Sequence, residues 1–102
     1  MAIVEVSVVP LGTKSPTVSP YVARAVRVLE DARDVKYELT AMGTIIEGDL
    51  ENLLDLVKKM HRTVLDADGV MRVVTSIRID ERRDKVASMS SKVAAVKKKL
   101  GH

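Results

Sequence analysis

Cysteine, phenylalanine and tryptophan are missing from the 102-residue sequence, and Tyr21 and Tyr37 are its only aromatic residues. Without Cys there are no disulfides and no thiolate-bound zinc, which fits a reducing, cytoplasmic setting. Without Phe or Trp, the core has to be built from Val, Ile, Leu, Met and Ala. Such a core is thin in a chain of this size, and association with further copies would add buried area. Long apolar runs are also missing: none approaches the roughly 20 residues of a membrane span. Met1–Glu5 carries no basic leader and reads as the start of a strand. Nor is the charge one-sided, with 17 Lys and Arg against 14 Asp and Glu. Nucleic-acid binders show a basic footprint, and single-strand binders add aromatic stacking platforms, so no nucleic-acid partner is expected. The one clear basic cluster, Lys97-Lys98-Lys99, falls at the end of a helical pattern, where cations complement the helix dipole.

Hydrophobic periodicity orders the rest into one domain spanning residues 1–102. Residues 2–9 alternate with a period of two, placing Val4, Val6 and Val8 on one face and Ile3, Glu5, Ser7 and Val9 on the other, a strand closed by Pro10. A loop follows, and Ser19-Pro20 opens a helix with Ser19 as N-cap and Pro20 at the first helical position. Val22, Ala25, Val26, Leu29 and Ala32 form its apolar stripe, and the helix fades near Asp34. Tyr37–Thr40 and Thr44–Glu47 read as strands joined by a turn at residues 41–43. Asp49 caps a second helix whose stripe is Leu50, Leu53, Leu54, Val57, Met60 and Val64. Val70–Asp80 is a long fourth strand, with length to spare for pairing with a neighbouring subunit. A last helix over about Lys85–Leu100 carries the narrow seam Val86, Met89, Val93, Val96 and Leu100, suited to this domain's own sheet or to a partner chain.

The order βαββαβ followed by α predicts an α+β, ferredoxin-like sandwich with an additional C-terminal helix. Such a sheet carries two helices on one face. Glu5, Ser7, Arg72, Val74, Ser76 and Arg78 are then expected on the other, where Glu5 can pair with an Arg. The topology also brings Gly12-Thr13, Gly43-Thr44 and Asp66–Gly69 towards one rim.

Several segments together resemble the thiamine-binding protein family: Pro10-Leu11-Gly12-Thr13, Tyr37-Glu38-Leu39, Gly43-Thr44-Ile45-Ile46-Glu47-Gly48, His61, and Gly69–Asp80 with Arg82 and Arg83. The resemblance implies a ferredoxin-like fold, dimers assembling into tetramers through sheets and edge strands, and in some relatives binding of thiamine or its hydroxymethylpyrimidine part. An aminopyrimidine needs donors and acceptors around a flat apolar slot. Ser7, Thr13 and Thr44 supply such groups, Glu47 suits a cationic thiazolium or an amino group, and Tyr37 or Met42 can cover a ring face. Each has a plainer reading beside it: turn chemistry for Thr13 and Thr44, a solvated or interface carboxylate for Glu47. His61, at the edge of its helix stripe, reads as a half-buried, hydrogen-bonded side chain. No second His stands at ligand spacing, and His102 is the terminal residue, so no metal or cofactor is expected. Ser88, Ser90 and Ser91 show no nucleophile elbow, and Gly12 and Gly43 no phosphate loop. The leading expectation is a homo-oligomeric, non-enzymatic binder of thiamine or hydroxymethylpyrimidine. An oligomeric structural or regulatory protein and a small-anion enzyme are the alternatives.

Overall fold

The computed structural model describes residues 1–101; the reading of His102 falls outside them. The elements run β1 (Ala2–Leu11), α1 (Ser19–Glu30), β2 (Lys36–Thr40), β3 (Gly43–Gly48), α2 (Leu50–Leu65), β4 (Arg72–Glu81) and α3 (Met89–Leu100). The strands form one antiparallel sheet in the order β2-β3-β1-β4. This is the expected ferredoxin-like α+β architecture with an added C-terminal helix.

The alternation in β1 builds the core. Ala2, Val4, Val6 and Val8 are buried beneath α1 and α2, where they meet Ala25 and Leu29 of α1, Ile46 of β3, and Leu53, Leu56, Val57, Met60 and Val64 of α2. Leu56 joins this group although the apolar stripe passed over it, and Leu54 is only half-buried. The core is entirely aliphatic, as the composition required; Tyr21 packs against its margin.

Several boundaries differ from the sequence reading. Pro10 does not end β1, which runs on to Leu11. β3 pairs with β1 only as far as Val6, so the later part of β1 has a ladder on the β4 side alone. A residue without an N–H is tolerated where one side of a strand is unpaired. Ser19 is not the N-cap of α1. That position is Val18, whose carbonyl accepts from the amides of Tyr21 and Val22 at 2.9 and 3.1 Å, and Pro20 still sits in the first turn. The helix ends at Glu30, short of Asp34, which adopts a left-handed φ of 58°. β4 begins at Arg72 because Val70 is held in the preceding turn, its N–H donating to the Ala67 carbonyl at 3.1 Å.

The last correction concerns α3. It starts at Met89, where Ser88 and Ser91 exchange backbone and side-chain hydrogen bonds in a capping box, and ends on Gly101 in the left-handed conformation. Both ends are therefore capped. Yet none of its residues is buried. The radius of gyration is 15.1 Å, against about 13 Å for a compact chain of this length. A helix that leaves the body accounts for the excess.

The sheet registers fix the two faces. Opposite the helices, one row crosses the sheet as Asp80, Ile3, Glu47 and Lys36; the next holds Arg78, Glu5, Ile45 and Glu38. This open face is the one expected for Glu5, Ser7, Val74, Ser76 and Arg78. Glu5 and Arg78 stand opposite each other with an N–O separation of 3.8 Å, a solvent-exposed pair of the kind that adds little stability.

Candidate functional site

The end of β3 opens a slot. The β3–β1 ladder ends at the Thr44–Val6 pair, while β1 continues for five more residues. The space left beside the β1 overhang is walled by α1 and by the turn at residues 40–43. It forms a cavity of about 310 Å³ lined by Val6, Ser7, Val8, Val18, Val22, Ala25, Leu39, Met42, Thr44 and Met60, among others. The walls are aliphatic. Thr44 brings a buried hydroxyl; Ser7 borders the slot, but its side chain alternates onto the open face with Glu5, opposite to Thr44. Past Val6, backbone groups on the β3 side of β1 have no strand to pair with and can serve a ligand as a strand would. Gly43 keeps the turn close to β1: a Cβ there would lie 3.0 Å from the Val6 carbonyl oxygen. Met42, 85% exposed, sits at the mouth.

Tyr37 and Glu47 lie elsewhere. They line a shallower groove of about 720 Å³ between β2 and the start of α3, together with Val35, Glu38, Met89 and Val93. Thr44 and Glu47 are three residues apart on one strand, so they point to opposite faces of the sheet. One ligand in the slot cannot touch both side chains. Glu47 is only 4% exposed, and its Oε2 accepts the Met89 N–H at 2.9 Å, at the first turn of α3. Lys92 reinforces this attachment through Asp80 at 2.7 Å. Thr13 lines neither cavity; its hydroxyl donates to the Ser15 carbonyl at 2.9 Å, within its own loop. The expected common rim is thus stepped: Gly12 and Gly69 lie beyond the β1–β4 end, several residues past Gly43.

His61 shares a 2.6 Å hydrogen bond between Nδ1 and the Thr75 hydroxyl, the half-buried, bonded state expected of it. The hollow around it, about 400 Å³, is lined by Val57, Lys58, Arg62, Leu65 and Thr75, so no carboxylate faces the imidazole there. Among the described residues, no three His, Cys, Asp or Glu side chains gather into a metal-binding group. The perturbed groups lie in the segment before α3, where Arg82 and Asp84 pair through both carboxylate oxygens. Hydrogen bonding to Arg82 holds the Asp84 carboxyl below its ordinary range and raises the guanidinium in return. Both side chains reach solvent, so the pair adds little stability.

Comparison with known proteins shows the family to which this fold belongs. The family profile described as thiamine-binding protein matches residues 4–97. The chain belongs to the thiamine-binding protein family. Its relatives in that family include the UPF0045 protein encoded downstream of glkA in Staphylococcus xylosus, 47% identical over 98% of this chain and 95% of the relative. The UPF0045 protein YqgV of Bacillus subtilis is 43% identical over 98% of both chains. The crystal structure of the hypothetical protein MJ1052 of Methanocaldococcus jannaschii superposes with a TM-score of 0.85 at 45% identity, over 94% of this chain and 95% of that one. A Thermotoga maritima protein, provisionally described as a thiamine biosynthesis/salvage protein, shares the fold with a TM-score of 0.76 at 24% identity, covering 93% and 97%.

Within this thiamine-binding family fold, sequence reasoning reached Ser7, Met42 and Thr44 but passed over the apolar walls and the unpaired edge of β1. The walls carried no separate signal, because Val22, Ala25 and Met60 already counted as core. The separation of Glu47 from Thr44 was available from strand periodicity alone.

Proposed function

We propose that the chain binds thiamine, or the hydroxymethylpyrimidine half of it, as a homo-oligomer and without chemical turnover. The slot beside the β1 overhang is the observation that carries this reading. Its aliphatic walls can hold a flat ring, Thr44 and the free backbone edge can address the ring nitrogens and amino group, and Met42 can close over it. Its volume of about 310 Å³ stands at the lower end of the roughly 300–1,000 Å³ of small-molecule sites, which favours the pyrimidine half over the whole vitamin. The family's description supports the ligand class. Tyr37, Glu47 and Thr13 lie outside the slot. Glu47 is the group that would meet a cationic or amino substituent in the second groove.

The homo-oligomer, a dimer of dimers, draws support from β4. It is an edge strand of ten residues with Ile77 and Ile79 exposed on its helix-side face, and long edges of this kind invite pairing.

Titration with hydroxymethylpyrimidine and with thiamine, followed by thermal melting, tests the binding. A binder stabilises the native state by mass action, so the melting temperature should rise with either compound and saturate. Thr44→Val should weaken binding roughly tenfold, the loss of about one net hydrogen bond. No shift at millimolar ligand removes the proposal.

A further inference from the structure

The early end of the β3–β1 ladder leaves part of one strand's backbone without a partner, and the parity of β1 tells which part. In an antiparallel sheet, successive residues direct their N–H and C=O groups to opposite neighbours. A Cβ on Gly43 would stand 3.0 Å from the Val6 carbonyl oxygen, so Val6 faces β3. Val8 and Pro10 then face the same way, while Ser7 and Val9 face β4, where they stand opposite Ser76 and Val74. Pro10 agrees with this parity, since a residue with no N–H belongs where the strand has no neighbour. Among the described residues, no backbone hydrogen bond joins β1 to the turn at residues 40–43 beyond the Thr44–Val6 pair. Yet Val8 is only 6% exposed, and it lines the slot. Its N–H and C=O are a donor and an acceptor side by side, largely screened from bulk water and left unmatched by the fold.

From this parity we infer that the Val8 backbone is the specificity-determining element of the slot. It reads the amino edge of a 4-aminopyrimidine: the Val8 N–H donates to a ring nitrogen, and the Val8 carbonyl accepts from the adjacent exocyclic amino group. The inference rests on the slot being the ligand site proposed above. It adds the class of compound, a flat ring in which a nitrogen acceptor stands next to an amino donor. Two features choose a ring over a peptide strand. An added strand draws on main-chain donors at alternate residues, and Pro10 offers none after Val8, so the edge holds one donor on the slot side. The slot is also short, about 310 Å³ and walled by Val18 and Val22 on the helix side, room for one small ring and not for a chain. A nearly buried pair of this kind discriminates strongly, because the wrong ligand leaves it unpaired. In the same orientation, a 4-oxo ring would set N–H against the Val8 N–H and a carbonyl against the Val8 carbonyl.

Three ligands and one exchange measurement decide it on the full chain. Hydroxymethylpyrimidine, its 4-oxo analogue and its 4-dimethylamino analogue are titrated by calorimetry. The parent compound should bind at least tenfold more tightly than either analogue, the worth of about one net hydrogen bond. In ¹⁵N-labelled free protein, the Val8 amide should exchange faster than those of Ser7 and Val9, which the β4 ladder holds. Saturating parent compound should slow Val8 at least tenfold and leave the other two unchanged. If the parent compound binds while Val8 exchange stays as it was, or while either analogue binds as well, the role of Val8 is overturned and the ligand proposal stands. If none of the three binds, both fall.

Discussion

At the scale of single residues, the slot and the core share side chains, and their substitutions separate into two kinds. Met60 is 1% exposed and also lines the slot. Met60→Ala should cost about 2–5 kcal/mol in chemical denaturation, as large-to-small core changes do, and should widen the cavity enough to erase any preference for the smaller ligand. Gly43→Ala acts through a clash instead. The added Cβ at 3.0 Å from a backbone oxygen must push the turn away from β1, at about 1–3 kcal/mol. Since each kcal/mol corresponds to roughly 4–8 °C in a domain of this size, the melting temperature should fall measurably. Ser7→Ala removes a hydroxyl from a half-buried position on the open face and should leave stability within about 0.5 kcal/mol and affinity for the slot's ligand unchanged. A loss of affinity in Ser7→Ala would show that the ligand reaches round the edge of β3 to the open face.

At the scale of elements, α3 should behave as a unit of its own. Its cap is worth about 0.5–2 kcal/mol, but no residue of the helix is buried. Ser88→Ala should therefore raise amide exchange along Met89–Leu100 at protein concentrations below assembly, with the global melting temperature unmoved. Much of the element order was readable before any coordinates, because β1, α1, α2 and β4 each carry a clean period. Their ends were less so. Pro10 is a strand breaker only where the neighbour on its nitrogen's side needs an N–H, and Ser19 a cap only if the chain turns there, so both depend on what lies alongside. Ser88 went unrecognised as a cap because its partner is Ser91 and not the more familiar Glu or Gln. The site was half legible for a similar reason. Residue chemistry nominated Ser7, Thr13, Tyr37, Thr44 and Glu47 together, while the offset between β3 and β1, which decides what stands beside what, is a property of the paired strands.

At the scale of the whole molecule, an elongated, net-acidic body carries a net-basic C-terminal segment, tied to it by the solvent-exposed Lys92–Asp80 pair. Raising ionic strength screens such a pair, so amide exchange along α3 should quicken between low and moderate salt while the global melting temperature holds. One further feature ties the scales together. β3 is a partition one strand thick: Thr44 and Ile46 look towards the helices and the slot, Ile45 and Glu47 towards the side that α3 first touches. A scan of substitutions along these four positions should therefore write two phenotypes in alternation, ligand or core defects at the even numbers and, at the odd ones, defects of the open face and its hold on α3.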